Sequence, residues 1–259
     1  MNIPSKIVLA SLVLGLIACT KNAPLFEELT AENTGIGFSN IVTQTDDNNV
    51  LNYPYYFNGG GVAIADFNLD GLQDIYFTGN MVENKLFLNK GSMKFEDITQ
   101  AAGVSAPLGW KTGVTVEDIN LDGYPDLYVC RSAMSDSTLR KNLLFLNNGN
   151  LSFTEMAETY GIADDSYSTG AAFLDYDKDG DKDLLVLNHS LPRYAGFNRL
   201  LNNLKNQEEP RFQTRLYKNE NGRPTPIRVR NSCILTNFRE CSIAIVDMQH
   251  VAHGLVVES

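Results

Sequence analysis

Three segments of the chain space their side-chain oxygens in the same way. They are Asp66, Asn68, Asp70, Gly71, Asp74; Asp118, Asn120, Asp122, Gly123, Asp126; and Asp175, Asp177, Asp179, Gly180, Asp183. Alternate oxygen-bearing residues on a tightly curved segment converge on one centre. The glycine permits the turn that lets the next carbonyl (Leu72, Tyr124 or Asp181) face inward, and the last Asp closes the shell. Hard oxygen ligands at about 2.3–2.6 Å suit Ca²⁺, whereas Mg²⁺ demands stricter octahedral geometry and retains water. No His or Cys lies in any loop, so softer transition metals lack their ligands. Carboxylates at 4 Å repel by about 1 kcal/mol per pair in water and several-fold more near a protein surface, so clusters of them imply a bound cation. The expectation is about three calcium ions, one per loop. A solvated acidic turn competes with this reading for any single loop, and recurrence in register argues against it for all three.

The segments that position these loops repeat as well. Gly61–Ala65 precedes the first loop and Ile75–Phe77 follows it; Gly113–Glu117 and Leu127–Val129 flank the second, and Gly170–Leu174 and Leu184–Val186 the third. Apolar stretches ending in Asn and Gly come next, at Leu86–Gly91, Leu144–Gly149 and Leu216–Gly222, where Asn and Gly mark a hairpin turn. Phe95–Ile98 and Phe153–Met156 add a fourth strand to the first two units. Strand flanks and an apolar residue at position twelve (Phe77, Val129, Val186) exclude an EF-hand, which needs helices and a Glu there. Four-stranded units recurring every ~50 residues predict an all-β fold of antiparallel propeller blades. The blades span about 59–104, 111–162 and 168–222, and Phe26–Thr30 reads as an orphan outer strand able to latch a ring. Closed propellers need four to eight blades, so this one is incomplete.

These loops and strands resemble the FG-GAP and VCBS repeats of integrin-type β-propellers. The blade order with Gly59–Gly60–Gly61 is similar to exported bacterial proteins of the ASPIC/UnbV-associated group, without the C-terminal domain that names that group. The resemblance covers about 26–222 and implies a calcium-stabilised scaffold. It implies no one function, since such propellers serve adhesion, carbohydrate binding and scaffolding alike.

Net charge of −10 and a pI near 4.8 disfavour nucleic acid and anionic membrane surfaces as partners. With 43% apolar residues the chain can bury a real core. Lys6 and the apolar run Ile7–Ile17 form an export signal too short to span a bilayer. Leu16–Ile17–Ala18–Cys19 resembles the lipobox of bacterial lipoproteins, which implies a signal over 1–18, lipidation at Cys19 and a tether over 19–25. That places the protein at the bacterial outer membrane or cell surface, held by a lipid anchor alone. Cys130 reads as a small core residue, and Cys233 and Cys241 could pair.

On the face opposite the loops, Trp110 and Tyr167 precede the first strands of their blades. A helical insert over 190–215, with Phe197 and Arg199, is predicted to cover the same side. Together they could bind a glycan or an envelope or extracellular protein, or simply pack between blades. With His189, His250 and His253 as its only histidines, the chain assembles no nucleophile, base and orienter, so no enzyme is expected. The alternatives are a structural subunit of an envelope complex and a polysaccharide-acting enzyme. After Gly222, Arg223–Pro224–Thr225–Pro226 is poor strand material, and 223–259 reads as a degenerate or frameshifted tail.

Overall fold

The computed structural model describes residues 25–46, 48–189 and 214–219, and residues 224–228 by their backbone alone. Three antiparallel four-stranded sheets follow one another along the chain, each in simple meander order. The first blade comprises β1 (Val62–Ala65), β2 (Asp74–Phe77), β3 (Lys85–Asn89) and β4 (Phe95–Asp97). The second comprises β5 (Trp110–Glu117), β6 (Asp126–Ser132), β7 (Leu143–Asn147) and β8 (Phe153–Glu155). The third comprises β9 (Ser168–Leu174), β10 (Asp183–Asn188), β11 (Arg215–Asn219) and β12 (Pro224–Arg228). The fold is that of an incomplete β-propeller.

Burial along the second strands records the order of the blades in space. In β2 buried and half-buried residues alternate, whereas every residue of β6 is buried. A sheet flanked on both faces reads as a continuous apolar run, and one flanked on a single face alternates. The middle blade is therefore sandwiched. Its Leu127, Val129, Phe145 and Phe153 pack with Ala63, Phe67, Tyr76 and Leu86 of the first blade. On its other face, Tyr128, Cys130 and Leu144 pack with Leu184, Val186 and Tyr217 of the third.

Two tyrosines pin these interfaces. Tyr76 donates to the carbonyl of Val104 at 2.8 Å and Tyr128 to that of Ile162 at 2.7 Å. Glycines allow the innermost strands to meet. A Cβ on Gly61 would lie 2.8 Å from the Val114 nitrogen, and one on Gly113 would lie 2.7 Å from the Thr169 carbonyl oxygen. Hydrogen bonds cross the same seams: Thr78 Oγ1 donates to the Thr112 carbonyl at 2.7 Å, and Thr112 Oγ1 donates to that of Ser168 at 2.8 Å.

Three sequence expectations are corrected. The third blade does have a fourth strand: β12 pairs with β11, Ile227 opposite Leu216 and Pro224 opposite Asn219. Residues two apart turn their backbone N–H positions to the same side of a strand. Both prolines can thus direct their missing donors to the unpaired side of this outermost strand. Phe26–Thr30, expected as a latch strand, forms no strand, and Phe26 is 85% exposed. The described residues offer it no partner strand. The turn that follows survives because its hydrogen bonds are local: Thr30 caps α1 (Ala31–Thr34), which ends at Gly35 with φ 84°. The same sequel follows β4, where α2 (Thr99–Ala102) ends at Gly103 with φ 75°. Thirdly, Arg215 opens β11 instead of ending a helical insert. The remainder of that insert with Phe197 and Arg199, the signal with Cys19, Cys233, Cys241, His250, His253 and the tail beyond 228 lie outside the described residues.

Candidate functional site

Each aspartate loop is closed at its base by a strand pair: Ala65 opposite Asp74, Glu117 opposite Asp126, and Leu174 opposite Asp183. Within the first loop, the Asp66 carboxylate accepts from the backbone N–H groups of Asp70 (3.0 Å) and Gly71 (2.7 Å). Asp118 accepts from Asp122 (3.0 Å) and Gly123 (2.8 Å), and Asp175 from Asp179 (3.1 Å) and Gly180 (3.2 Å). The glycines adopt φ of 87°, 91° and 97°, as the sequence required. A second left-handed residue was not legible in the sequence: Leu69, Leu121 and Lys178 have φ of 60°, 59° and 63°. A side chain in that conformation costs about 1–2 kcal/mol, so each loop holds its curl against local preference.

The closing carboxylates are fully buried and do two jobs. Asp74 accepts from the N–H of Phe67 (3.0 Å) and of Asn89 (2.8 Å), tying the start of its loop to β3. Asp126 does the same with Ile119 (2.9 Å) and Asn147 (2.8 Å), and Asp183 with Tyr176 (2.7 Å) and Asn219 (2.8 Å). Burial pushes the Asp74 carboxyl up and that of Asp126 to about 6, opposed by those N–H groups and reinforced by the other carboxylates of each loop. The first loop is also clipped to the next blade. Asn147 Nδ2 donates to the Phe67 carbonyl at 2.8 Å, while the Phe67 ring meets Phe153 edge-on at 5.8 Å.

These residues fit a hard cation. In the third loop one carboxylate oxygen from each of Asp175, Asp177 and Asp183 lies within 4.8 Å of the others. Each carboxylate oxygen that accepts one N–H keeps a second lone pair for a metal. In the first two loops the third position is an amide: Asn68 Nδ2 donates to Asp70 at 2.9 Å and Asn120 Nδ2 to Asp122 at 2.8 Å, while each amide oxygen accepts one backbone N–H (from Asp70 at 3.2 Å and Asp122 at 3.1 Å) and keeps a lone pair as a neutral ligand. Lys218 Nζ sits 2.7 Å from Asp177 and holds its carboxyl below the usual range, so the third loop already carries a competing positive charge. Beside the second loop lies an open cleft of about 380 Å³, lined by Asn120, Asp122, Tyr124, Asn148, Thr154 and Met156.

The opposite face differs from the expected ligand surface. Trp110 is the first residue of β5 and only 4% exposed, packed against Tyr53 (5.6 Å between centroids) and Tyr56 (4.8 Å). Of the two readings of this tryptophan, packing is the one the structure shows. Tyr167 lies under the Arg140 guanidinium at 4.5 Å, with the His189 ring 6.0 Å away. Sequence reasoning missed Tyr53, Tyr55 and Tyr56, although the run Tyr53–Pro54–Tyr55–Tyr56–Phe57 is the densest aromatic stretch in the chain. His189 Nε2 lies 3.1 Å from Ser132 Oγ and 3.5 Å from the Tyr53 hydroxyl, so it belongs to a packed polar cluster.

Residues 66–129 and 132–186 match the FG-GAP-like repeat family. The two matched segments include all three aspartate loops. Human cartilage acidic protein 1 is 25% identical over 260 residues, covering 89% of this chain and 37% of the relative. The mouse protein of that name is 25% identical over 260 residues, with 89% and 38% covered. The Xenopus tropicalis protein is 30% identical over 164 residues, with 60% and 24% covered. The chain thus spans well under half the length of these relatives.

Proposed function

We propose that this chain is an exported, calcium-loaded β-propeller lipoprotein that serves as a binding or adhesion scaffold for a glycan or an extracellular protein at the bacterial cell surface. The observation that carries this reading is the recurrence of one loop geometry at the base of three blades. In each loop the first Asp is held by two backbone N–H groups and the ninth is buried between two strands. Asp66, Asn68, Asp70, the Leu72 carbonyl and Asp74 would hold the first ion. Asp118, Asn120, Asp122, the Tyr124 carbonyl and Asp126 would hold the second, and Asp175, Asp177, Asp179, the Asp181 carbonyl and Asp183 the third. Bound calcium supplies positive charge that cancels the repulsion among the loop carboxylates. The protein's own part is to curl the loop and, through Asn147, to pass that order to the next blade. Ligands drawn wholly from the protein leave little room for a substrate, which favours a structural over a catalytic metal.

Titration of the metal-stripped protein with calcium, followed by calorimetry, should give about three sites per chain. An unchanged thermal transition after exhaustive chelation would sink structural calcium. For the scaffold itself, glycan arrays and pull-downs should show binding without turnover, and the cleft beside the second loop, where Tyr124, Asn148 and Thr154 stand beside Leu146 and Met156, offers one place for it. Turnover of a polysaccharide would favour the enzyme alternative. The anchor rests on Cys19: Cys19→Ala should abolish fatty-acid labelling and release the protein from the membrane fraction.

A further inference from the structure

The first two blades share one frame, so side chains at matching positions can be compared directly. Residues 66–74 and 86–98 of the first align, each stretch without a gap, with 118–126 and 144–156 of the second. Leu72 thus stands where the second blade has Tyr124, Lys90 where it has Asn148, Glu96 where it has Thr154, and Ile98 where it has Met156. The registers agree, with Leu88 opposite Glu96 in one sheet and Leu146 opposite Thr154 in the other. Both outer hairpins close alike, by the Lys90 N–H to the Lys94 carbonyl at 2.7 Å and the Asn148 N–H to the Ser152 carbonyl at 2.9 Å.

On this common backbone the two blades carry opposite chemistry. In the first, Lys90 Nζ lies 3.6 Å from Glu96 Oε2, an ion pair across the hairpin. In the second both charges are gone, and Thr154 Oγ1 donates to Asn148 Oδ1 at 3.2 Å instead. Asn148 Nδ2 gives one N–H to Ser152 Oγ at 3.0 Å and keeps the other, while the Thr154 oxygen keeps its lone pairs. Both side chains are exposed. Beside them the Tyr124 ring rests on the hairpin: a Cβ on Gly149 would lie 2.9 Å from its Cε2 and 3.0 Å from its Cζ, whereas one on Gly91 would meet nothing within 4 Å. Half-buried Leu146 and Met156 add apolar surface to this cleft of about 380 Å³. None of the residues lining it is basic. Its one carboxylate, Asp122, accepts from Asn120 Nδ2 at 2.8 Å and from the Tyr124 N–H at 2.9 Å.

A pyranose ring presents C–H groups that lie well on an aromatic ring, and an edge of hydroxyls that donate and accept at once. Tyr124 with Met156 supplies the first requirement, and the amide and hydroxyl of Asn148 and Thr154 the second. A uronate or sulfate would find no cation in the cleft and would meet Asp122, a like charge. Within the scaffold reading above, on which this rests, we propose that the cleft of the second blade binds an uncharged pyranose unit of a glycan. The sugar ring lies on Tyr124 and Met156, and neighbouring hydroxyls are shared between Asn148 and Thr154. In the first blade Lys90 and Glu96 satisfy each other at the corresponding place, so binding belongs to the second blade.

An array of neutral and acidic oligosaccharides, probed with the full-length, calcium-loaded protein, tests this. Neutral members should bind, and those bearing uronate, sialate or sulfate should not. Tyr124→Leu, and Asn148→Lys combined with Thr154→Glu, install residues that the first blade already carries at these positions, so circular dichroism should be unchanged. Each variant should weaken the best neutral oligosaccharide at least about tenfold by titration calorimetry, whereas Lys90→Ala should leave it unaffected. Should Tyr124→Leu disturb its loop, the paired variant, which lies outside the loop, decides. Binding confined to acidic oligosaccharides, or neutral binding indifferent to the variants, overturns the assignment while leaving a glycan-binding scaffold. Capture of an extracellular protein with no oligosaccharide bound overturns it in favour of a protein ligand, and silence in both assays overturns the scaffold reading as well.

Discussion

Two carboxylates of the same loop should respond differently to removal. Asp70→Ala deletes a candidate ligand that is exposed and bonded only within its loop, so it should leave metal-free stability within about 0.5 kcal/mol while abolishing calcium binding at that loop. Asp74→Ala strips the N–H groups of Phe67 and Asn89 of a buried acceptor and should cost about 2–4 kcal/mol with or without calcium. Urea unfolding at saturating and zero calcium separates the two. Lys111 gives a second prediction. It is fully buried, its amine donates to the Gly109 carbonyl at 3.2 Å, and its pKa is lowered to about 8, by burial first and then by Arg131, against a smaller opposing effect of Glu83. The folded state disfavours the ammonium, so below pH 8 it carries a penalty of roughly 3 kcal/mol. That penalty disappears as pH rises from about 8 towards the unfolded value of 10.5. Stability should therefore increase over this window, and Lys111→Met should flatten the profile and raise stability at pH 7.

The inner strands carry a steric prediction. Gly113→Val would drive a branched side chain against the Thr169 carbonyl oxygen and the Gly170 Cα, at 2.7 and 3.0 Å from its Cβ, and backbone on both sides cannot yield cheaply. A loss of about 1–3 kcal/mol is expected, read as a lower denaturation midpoint. At this scale most of the architecture was legible in the sequence, because loop and strand chemistry are local. Asp-x-Asn-x-Asp-Gly requires a curl, alternating or continuous apolar runs require strands, and both recur in register. Errors arose where a partner decides the outcome. Phe26–Thr30 has strand composition but finds no strand to pair with among the described residues, and Pro224 and Pro226 are tolerated because β12 is the outermost described strand of its sheet. Trp110 looked available because sequence does not show that Tyr53 and Tyr56, more than fifty residues earlier, fold back over it. The left-handed turn at Leu69, Leu121 and Lys178 leaves no compositional trace, since it is imposed by the hydrogen bonds of the residues around it.

For the molecule as a whole, calcium should act as a fastener between blades as well as within them. If free calcium exceeds the dissociation constant a hundredfold, each occupied loop adds about 2.7 kcal/mol, so chelation should lower the melting transition by several degrees per site. Asn147→Ala should reduce that gain, because it uncouples the first loop from the second blade without touching a ligand; differential scanning calorimetry in calcium checks this. The same clip sets an order in time. The Phe67 carbonyl finds its donor eighty residues further along the chain, on Asn147. During synthesis or passage across a membrane the first loop can curl as soon as it emerges, but it cannot be locked until the third strand of the following blade has arrived. The first blade is thus completed by its successor, and its folding finishes one blade behind the emerging end.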